Sequence, residues 1–295
     1  MAVLGSSELE AVQDSPIGIV GLGLIGGSLG LDLMAQGVEV RALVHRQSTA
    51  KRAQERELAT LVSLDPAVLK GCALVVLALP LDRLLDPDPA LLNALSAATA
   101  VTDVGSVKGP VLERWSSLHP RFVASHPMAG TTEAGVEAGQ RGLFSGRPWV
   151  VTPDEHTDPT AMALVARLAT RVGAQWHCCS ADSHDRAVAL ISHLPVLVSA
   201  ALIQGVDQAA AQWGDGMPEL VRALASSGFA DTSRVGGGNP ELGTLMASSN
   251  RVAVSEALAA YRHSLERLEH HLESASWEEL RAELGDSQRL RPEFL

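Results

Sequence analysis

Cysteine, aromatic residues and positive charge are all scarce in this chain of 295 residues. Its three cysteines, Cys72, Cys178 and Cys179, are too few for a disulfide framework, and the last two too close together. The sequence therefore predicts a reducing, cytoplasmic setting. Lysine and arginine number 23 against 34 acids, a formal net charge of −11. The bases are scattered, without runs or interleaved aromatics, which argues against a nucleic-acid partner. Residues 1–15 carry acids and no apolar run, and read as a flexible tail, neither signal nor transit peptide. One apolar stretch, Ala187 to Val206, approaches the length of a bilayer span. His193, Pro195 and Gln204 interrupt it, and Asp185, Arg186 and Asp207 flank it. It is predicted to be the central helix of a buried helical domain, with no membrane partner. The cluster His177, Cys178, Cys179, Asp182 and His184 predicts no metal site, because adjacent residues on a strand point to opposite faces.

Glycine is plentiful where it matters. The apolar run Ile17–Val20 feeds into Gly21-Leu22-Gly23-Leu24-Ile25-Gly26, and a helical pattern follows to Met34. Strand, glycine turn and helix in this order predict a dinucleotide site. Gly21 makes the turn, Gly23 admits the pyrophosphate, and Gly26 lets helix and strand pack closely. Leu24 and Ile25 sit at the helix N-terminus, whose N–H groups and positive dipole end suit phosphates. A second strand, Val38 to Val44, is followed by His45-Arg46-Gln47-Ser48-Thr49. NAD-binding members of this fold carry an acid there for the ribose 2′-OH. Here Arg46, with the hydroxyls of Ser48 and Thr49 and a contribution from His45, suits a 2′-phosphate instead, so NADP is the expected cofactor. Ser48 also suits the cap of the next helix.

Alternating strands and helices continue with strands at Leu74–Leu79 and Ala100–Asp103 and helices at Ser48–Ala59 and Leu84–Ala97. Phe122–Ser125 and Pro148–Thr152 are expected to extend the same sheet. After a helix at Thr160–Val172 and a strand at Ala174–Cys178, the remainder reads as helical. A break is expected at Gly228–Pro240, then one long helix from Leu242 to about Ser274. The fold class is α/β: a Rossmann-type, doubly wound, mostly parallel sheet followed by an all-helical dimerisation domain. The expected boundaries are a tail at 1–15, a dinucleotide domain at 16–178, a helical domain at 179–285 and a tail at 286–295. The apolar helices exceed what so small a unit buries alone, which predicts a homodimer.

Ligands of doubly wound sheets bind at the carboxyl ends of strands. His126 follows one strand and precedes Pro127, a place suited to a general base for a substrate hydroxyl. Ser106 follows another, where it also suits a helix cap, and Lys108 reads as solvated. The motifs at 21–28, Asp-Val-Gly-Ser-Val-Lys at 103–108, Ser-His-Pro-Met-Ala-Gly-Thr at 125–131, Ser-His-Leu-Pro at 192–195 and Asp-Thr-Ser-Arg at 231–234 together resemble the prephenate/arogenate dehydrogenase family of tyrosine biosynthesis. The resemblance implies oxidative decarboxylation of a 4-hydroxycyclohexadienyl carboxylate, with hydride passing to a nicotinamide cofactor. By the same resemblance His126 accepts the hydroxyl proton and Ser106 orients it. Arg234 binds the substrate carboxylate with Asp231 holding it, and Thr131 and His193 line the pocket. Val196 and Gly243 stand where prephenate-using members often carry His and Trp. With no mutase or regulatory domain, the chain looks like the compact NADP-dependent arogenate dehydrogenases. Three alternatives stand beside arogenate oxidation: a prephenate dehydrogenase, a β-hydroxyacid-type reductase and a non-catalytic NADP-binding protein. Against the reductase, Ser180 to Val206 holds no Lys. Against the binding protein, Ser106, His126 and Arg234 are all present.

Overall fold

The computed structural model describes residues 15–131 and 133–294, so the tail expected at 1–15 lies, but for Ser15, outside the described residues. The chain divides into two compact units. One runs to Val188 and takes in Gly237–Ser249; the other comprises Ala189–Gly236 and Asn250–Leu295.

The first unit is built on a parallel six-stranded sheet of order β3-β2-β1-β4-β5-β6. Its strands are β1 (Ile17–Val20), β2 (Val40–Leu43), β3 (Leu61–Ser63), β4 (Leu74–Leu77), β5 (Ala100–Asp103) and β6 (Phe122–Val123). Helices α1 (Leu24–Met34), α2 (Gln47–Glu55), α3 (Leu81–Leu85), α4 (Pro89–Ala94) and α5 (Gly109–Ser116) connect them. The pleat sends Leu74 and Val76 into one core and Val75 and Leu77 into the other, which is why β4 reads as an unbroken apolar run. Burying each such side chain contributes roughly 1.5–3 kcal/mol.

Several expectations are corrected here. The helix expected at Leu84–Ala97 is two short ones: Asp88 caps the second through Ala90 N–H, with Pro89 at its first turn. Strand β8 (Pro148–Val151) does not extend the main sheet. It lies in a separate three-stranded sheet, between β7 (Ser125–Pro127), antiparallel to it, and β9 (Gln175–Cys178), parallel to it. Helix α6 (Pro159–Arg171) buries one face in the same core as β1. Apart from these corrections, helices α7 (Ala181–Val188) and α11 (Pro240–Ser249) pack as part of the first compact unit.

The second unit is helical: a π turn (Ala189–His193), α8 (Leu194–Gln212), α9 (Met217–Leu224), α10 (Ser227–Ser233), α12 (Arg251–Glu273) and α13 (Trp277–Leu290). The break expected at Gly228–Pro240 therefore begins with a helix. The single helix expected from Leu242 to Ser274 is interrupted at Asn250, and α13 continues past 286, where a tail was expected. Helix α8, predicted to be enclosed, buries only Ser199 and Ala210. The apolar run Ala181–Gln212 is long and apolar enough to cross a membrane by length and composition, and 22% of its apolar 18-residue window is buried.

Candidate active site

Gly21 leaves β1 with φ of +90°, and a Cβ there would lie 2.4 Å from the Ala78 carbonyl oxygen beyond β4. A Cβ on Gly26 would lie 2.0 Å from the Gly21 oxygen, so both positions require glycine. Gly23 differs: a Cβ there meets nothing within 4 Å, and its backbone faces open space. Leu24 and Ile25 open α1, whose first turn carries neither an acid nor a side-chain cap. The strand order reverses between β1 and β4, the place where such sheets take their ligand. An open glycine over uncapped N–H groups fits a dinucleotide pyrophosphate.

At the end of β2, His45, Arg46 and Ser48 are exposed and Thr49 half-buried. Arg46, in extended conformation, is itself the cap position of α2; Ser48 lies within the helix and does not cap it. With no acid in the first turn of α2, this end accepts negative charge.

A buried polar knot joins the ends of β5 and β7. Asp103 accepts from the N–H of Ser125 at 3.0 Å and of Gly105 at 2.8 Å, and pairs with the Lys108 ammonium. Lys108 also donates to the Ser125 carbonyl at 2.7 Å. Neither side chain of the ion pair is exposed, which corrects the reading of Lys108 as solvated. Burial pushes the Lys108 ammonium down from its ordinary value, and the Asp103 carboxylate opposes that only in part. The Ser125 hydroxyl donates to the Asp103 carbonyl at 2.8 Å and lies 2.8 Å from the Thr102 hydroxyl. The backbone just before His126 is thus fixed from three sides.

The His126 side chain is engaged as well. Its Nδ1 lies 2.9 Å from Nε2 of His184, and Nδ1 of His184 lies 2.7 Å from Oδ1 of Asp185. Asp185 also accepts from the N–H groups of Lys108 at 2.7 Å and Gly109 at 2.8 Å. It therefore does the capping of α5 that Ser106 was a candidate for. Burial alone would raise the Asp185 carboxyl, but the hydrogen bonds from His184, Lys108 and Gly109 outweigh it and hold it below its ordinary value. Ser106 is half-buried in the loop between β5 and α5.

Thr131 is exposed, its hydroxyl accepting from Glu133 N–H at 3.2 Å. In the second unit His193 is buried at the end of the π turn, with Nδ1 3.3 Å from the amide of Asn250. Arg234 and Asp231 are exposed at the end of α10, and no ion pair joins them. The expectation that Asp231 holds Arg234 is corrected. Sequence reasoning missed Asp103, Lys108, His184 and Asp185 as parts of the site. The signal available for the last two was a His-Asp pair placed just before the apolar run of α8.

Residues 29–178 match the family described as prephenate dehydrogenase, nucleotide-binding domain, and residues 180–286 match its dimerization domain. The chain belongs to the prephenate dehydrogenase family. It is 30% identical to the cyclohexadienyl dehydrogenase of Zymomonas mobilis, over 93% of this chain and 94% of that one. The Synechocystis arogenate dehydrogenase structure is 41% identical, with TM-score 0.81, covering 95% of this chain and all 100% of that one. The prephenate dehydrogenase of A. aeolicus, in complex with hydroxyphenyl propionate and NAD+, has TM-score 0.87 at 27% identity, covering 95% and 98%. The family's nucleotide-binding domain implies a pyridine nucleotide cofactor and makes the chain an oxidoreductase acting on a small molecule. The family's dimerization domain spans the apolar helix α8, whose surface the chain alone leaves largely unburied.

Proposed function

We propose that this chain oxidatively decarboxylates L-arogenate to L-tyrosine, with NADP as hydride acceptor and His126 as the base. The observation that carries the reaction is the placement of His126 at β7, with the backbone of the preceding Ser125 tied to Asp103 and Lys108 and the His126 Nδ1 tied to His184. Bound nicotinamide supplies the acceptor for the hydride that leaves the ring carbon bearing the hydroxyl. His126 takes the hydroxyl proton as that carbon becomes a carbonyl. The bond to the ring carboxylate then breaks, and its electron pair flows through the ring to the oxygen, releasing carbon dioxide. The resulting phenolate takes the proton back. Aromatisation drives this step, so no electron-sink group is needed. Ser106 is assigned to hydrogen-bonding the hydroxyl region and orienting His126 and the nicotinamide. Arg234 is assigned to the substrate carboxylate, for which its planar fork is suited. Thr131, His193 and Asp231 are assigned to the remainder of the substrate.

NADP over NAD rests on Arg46 at an acid-free, uncapped helix start. Arogenate over prephenate rests on Val196 and Gly243 and on the 41% identity to an arogenate dehydrogenase. The apolar helices of the second unit support a homodimer formed through it, and three cysteines, too few for a disulfide framework, support a cytoplasmic setting. Initial rates for arogenate and prephenate, each with NADP and with NAD, test the whole reading. Fast turnover only with arogenate and NADP is expected. A preference for prephenate overturns the substrate, a preference for NAD overturns the role of Arg46, and no rate in any mixture overturns the enzyme.

A further inference from the structure

We propose that His184 and Asp185 form a positioning relay that fixes His126 as a base at Nε2 and draws the captured proton's charge away from the substrate. The proposal rests on the reading of His126 as the base. It begins with what each atom is able to do. Asp185 is a carboxylate and only accepts, and it already accepts from two backbone N–H groups. Nδ1 of His184, 2.7 Å from it, must therefore carry hydrogen. In the neutral ring that leaves Nε2 of His184 as an acceptor, so Nδ1 of His126 at 2.9 Å is the donor. A neutral His126 with hydrogen on Nδ1 has its lone pair on Nε2. One carboxylate thus sets the tautomer of two imidazoles in series, as second partners do for ring nitrogens generally.

The same line carries charge. When the substrate O–H bond breaks, its proton joins Nε2 of His126. The Nδ1–H bond of His126 then breaks as that proton joins Nε2 of His184. His184 keeps its own Nδ1 hydrogen and becomes an imidazolium against the Asp185 carboxylate. The positive charge ends beside a buried anion, and recapture of the proton by the phenolate reverses each step. Nothing in the relay is oxidised or reduced.

The surroundings agree. His184 is 2% exposed, so the pair interacts with little screening by water. The charged and titratable groups facing the relay are Lys108 at the start of α5, Asp103 at the end of β5 and Cys179 after β9. The Lys108 charge is taken up by Asp103, which leaves Asp185 as the anion available to an imidazolium. Asp185 also caps α5 with both oxygens, so its position is set by the backbone and not by the histidine.

The test uses the full chain and two variants, His184→Gln and Asp185→Asn, beside His126→Asn. A glutamine at 184 can still accept from Nδ1 of His126, but it cannot become a cation. For His184→Gln, kcat falls about 10–10²-fold with cofactor affinity retained. The acid limb of kcat/KM moves to lower pH by about one unit or more, because the His126 imidazolium loses its anion. A purely structural role would leave that limb in place, and an unmoved limb overturns the proposal. Side-chain 15N spectra of the unliganded chain at pH 8 supply a readout that needs no substrate. Both His126 and His184 are expected as Nδ1–H tautomers, with His184 switching to Nε2–H in Asp185→Asn. Nε2–H tautomers in the unmodified chain overturn the relay even if the enzyme is active. Near-normal turnover of His126→Asn would instead overturn the role of the base, leaving the spectra to decide the tautomers. If Asp185→Asn fails to fold for want of its helix cap, His184→Gln decides alone.

Discussion

The two units of this chain bury themselves to very different degrees. The first has apolar clusters on both faces of its sheet and a knot of Asp103, Lys108 and Ser125 with no exposed side chain. The second holds a small cluster around Ala189, Val254 and Ala257, while Trp213, Leu224, Val252, Leu272, Trp277 and Phe294 are exposed. A unit with its own core can position a catalytic group by itself. A unit whose large apolar residues face outward needs another surface to cover them, which is the physical content of a dimerization domain.

The sharpest way to test the self-sufficiency of the first unit is His126→Asn. Turnover should drop by roughly 10²–10⁴-fold while NADP binding, followed by fluorescence titration, stays near normal. Next comes Lys108→Met, which strands Asp103 without its partner and should destabilise the fold by about 3–5 kcal/mol in chemical denaturation. Adding Asp103→Asn should recover part of that. A loss well under 1 kcal/mol would mean that the knot is not what holds β5 to β7. Arg46→Ala should weaken NADP by about 1.5–3 kcal/mol and leave NAD almost unchanged. Equal weakening of both would remove the 2′-phosphate assignment.

The second unit is probed by Leu265→Glu. Leu258, Leu265 and Leu272 recur every seven residues along α12 and are 43–58% exposed. If this stripe is covered by a second copy, light scattering should show a shift from dimer to monomer. On a free surface the substitution would change stability by no more than about 0.5 kcal/mol. The smallest effect returns to the first unit. Burial pushes His119 below its ordinary value of 6.5, with Arg121 adding to this and the Ser96 carbonyl opposing it. The unfolded chain then binds the proton more readily, so stability present above pH 6.5 is lost as the pH falls below it. His119→Gln should flatten that acid slope of the melting temperature.

Much of this fold was legible because it depends on local pattern. The glycine turn and β5 stand where the sequence puts them, since a tight turn and a buried apolar run leave few other solutions. What escaped depends on partners remote in sequence. Nothing in Pro148–Thr152 says which strand it pairs with, so its separate sheet was invisible. Lys108 in a glycine-serine loop looks solvated until Asp103 is brought against it. His184 looked like part of a metal-like cluster because its neighbours in sequence were in view and His126, 58 residues away, was not. The pause at Asn250 was hidden by the continuous helical pattern on either side.

The placement of α7 bears on how such enzymes can be recombined. By sequence the nucleotide-binding domain ends at 178 and the next domain begins at 180, whereas the first compact unit runs on to Val188. The ten residues between those two borders contain His184 and Asp185. A chimera spliced at the sequence border would inherit His126 from one parent and its hydrogen-bond partners His184 and Asp185 from the other. Splicing after Val188 would keep them from a single ancestor, so the heritable module for the chemistry is longer than the domain that names it.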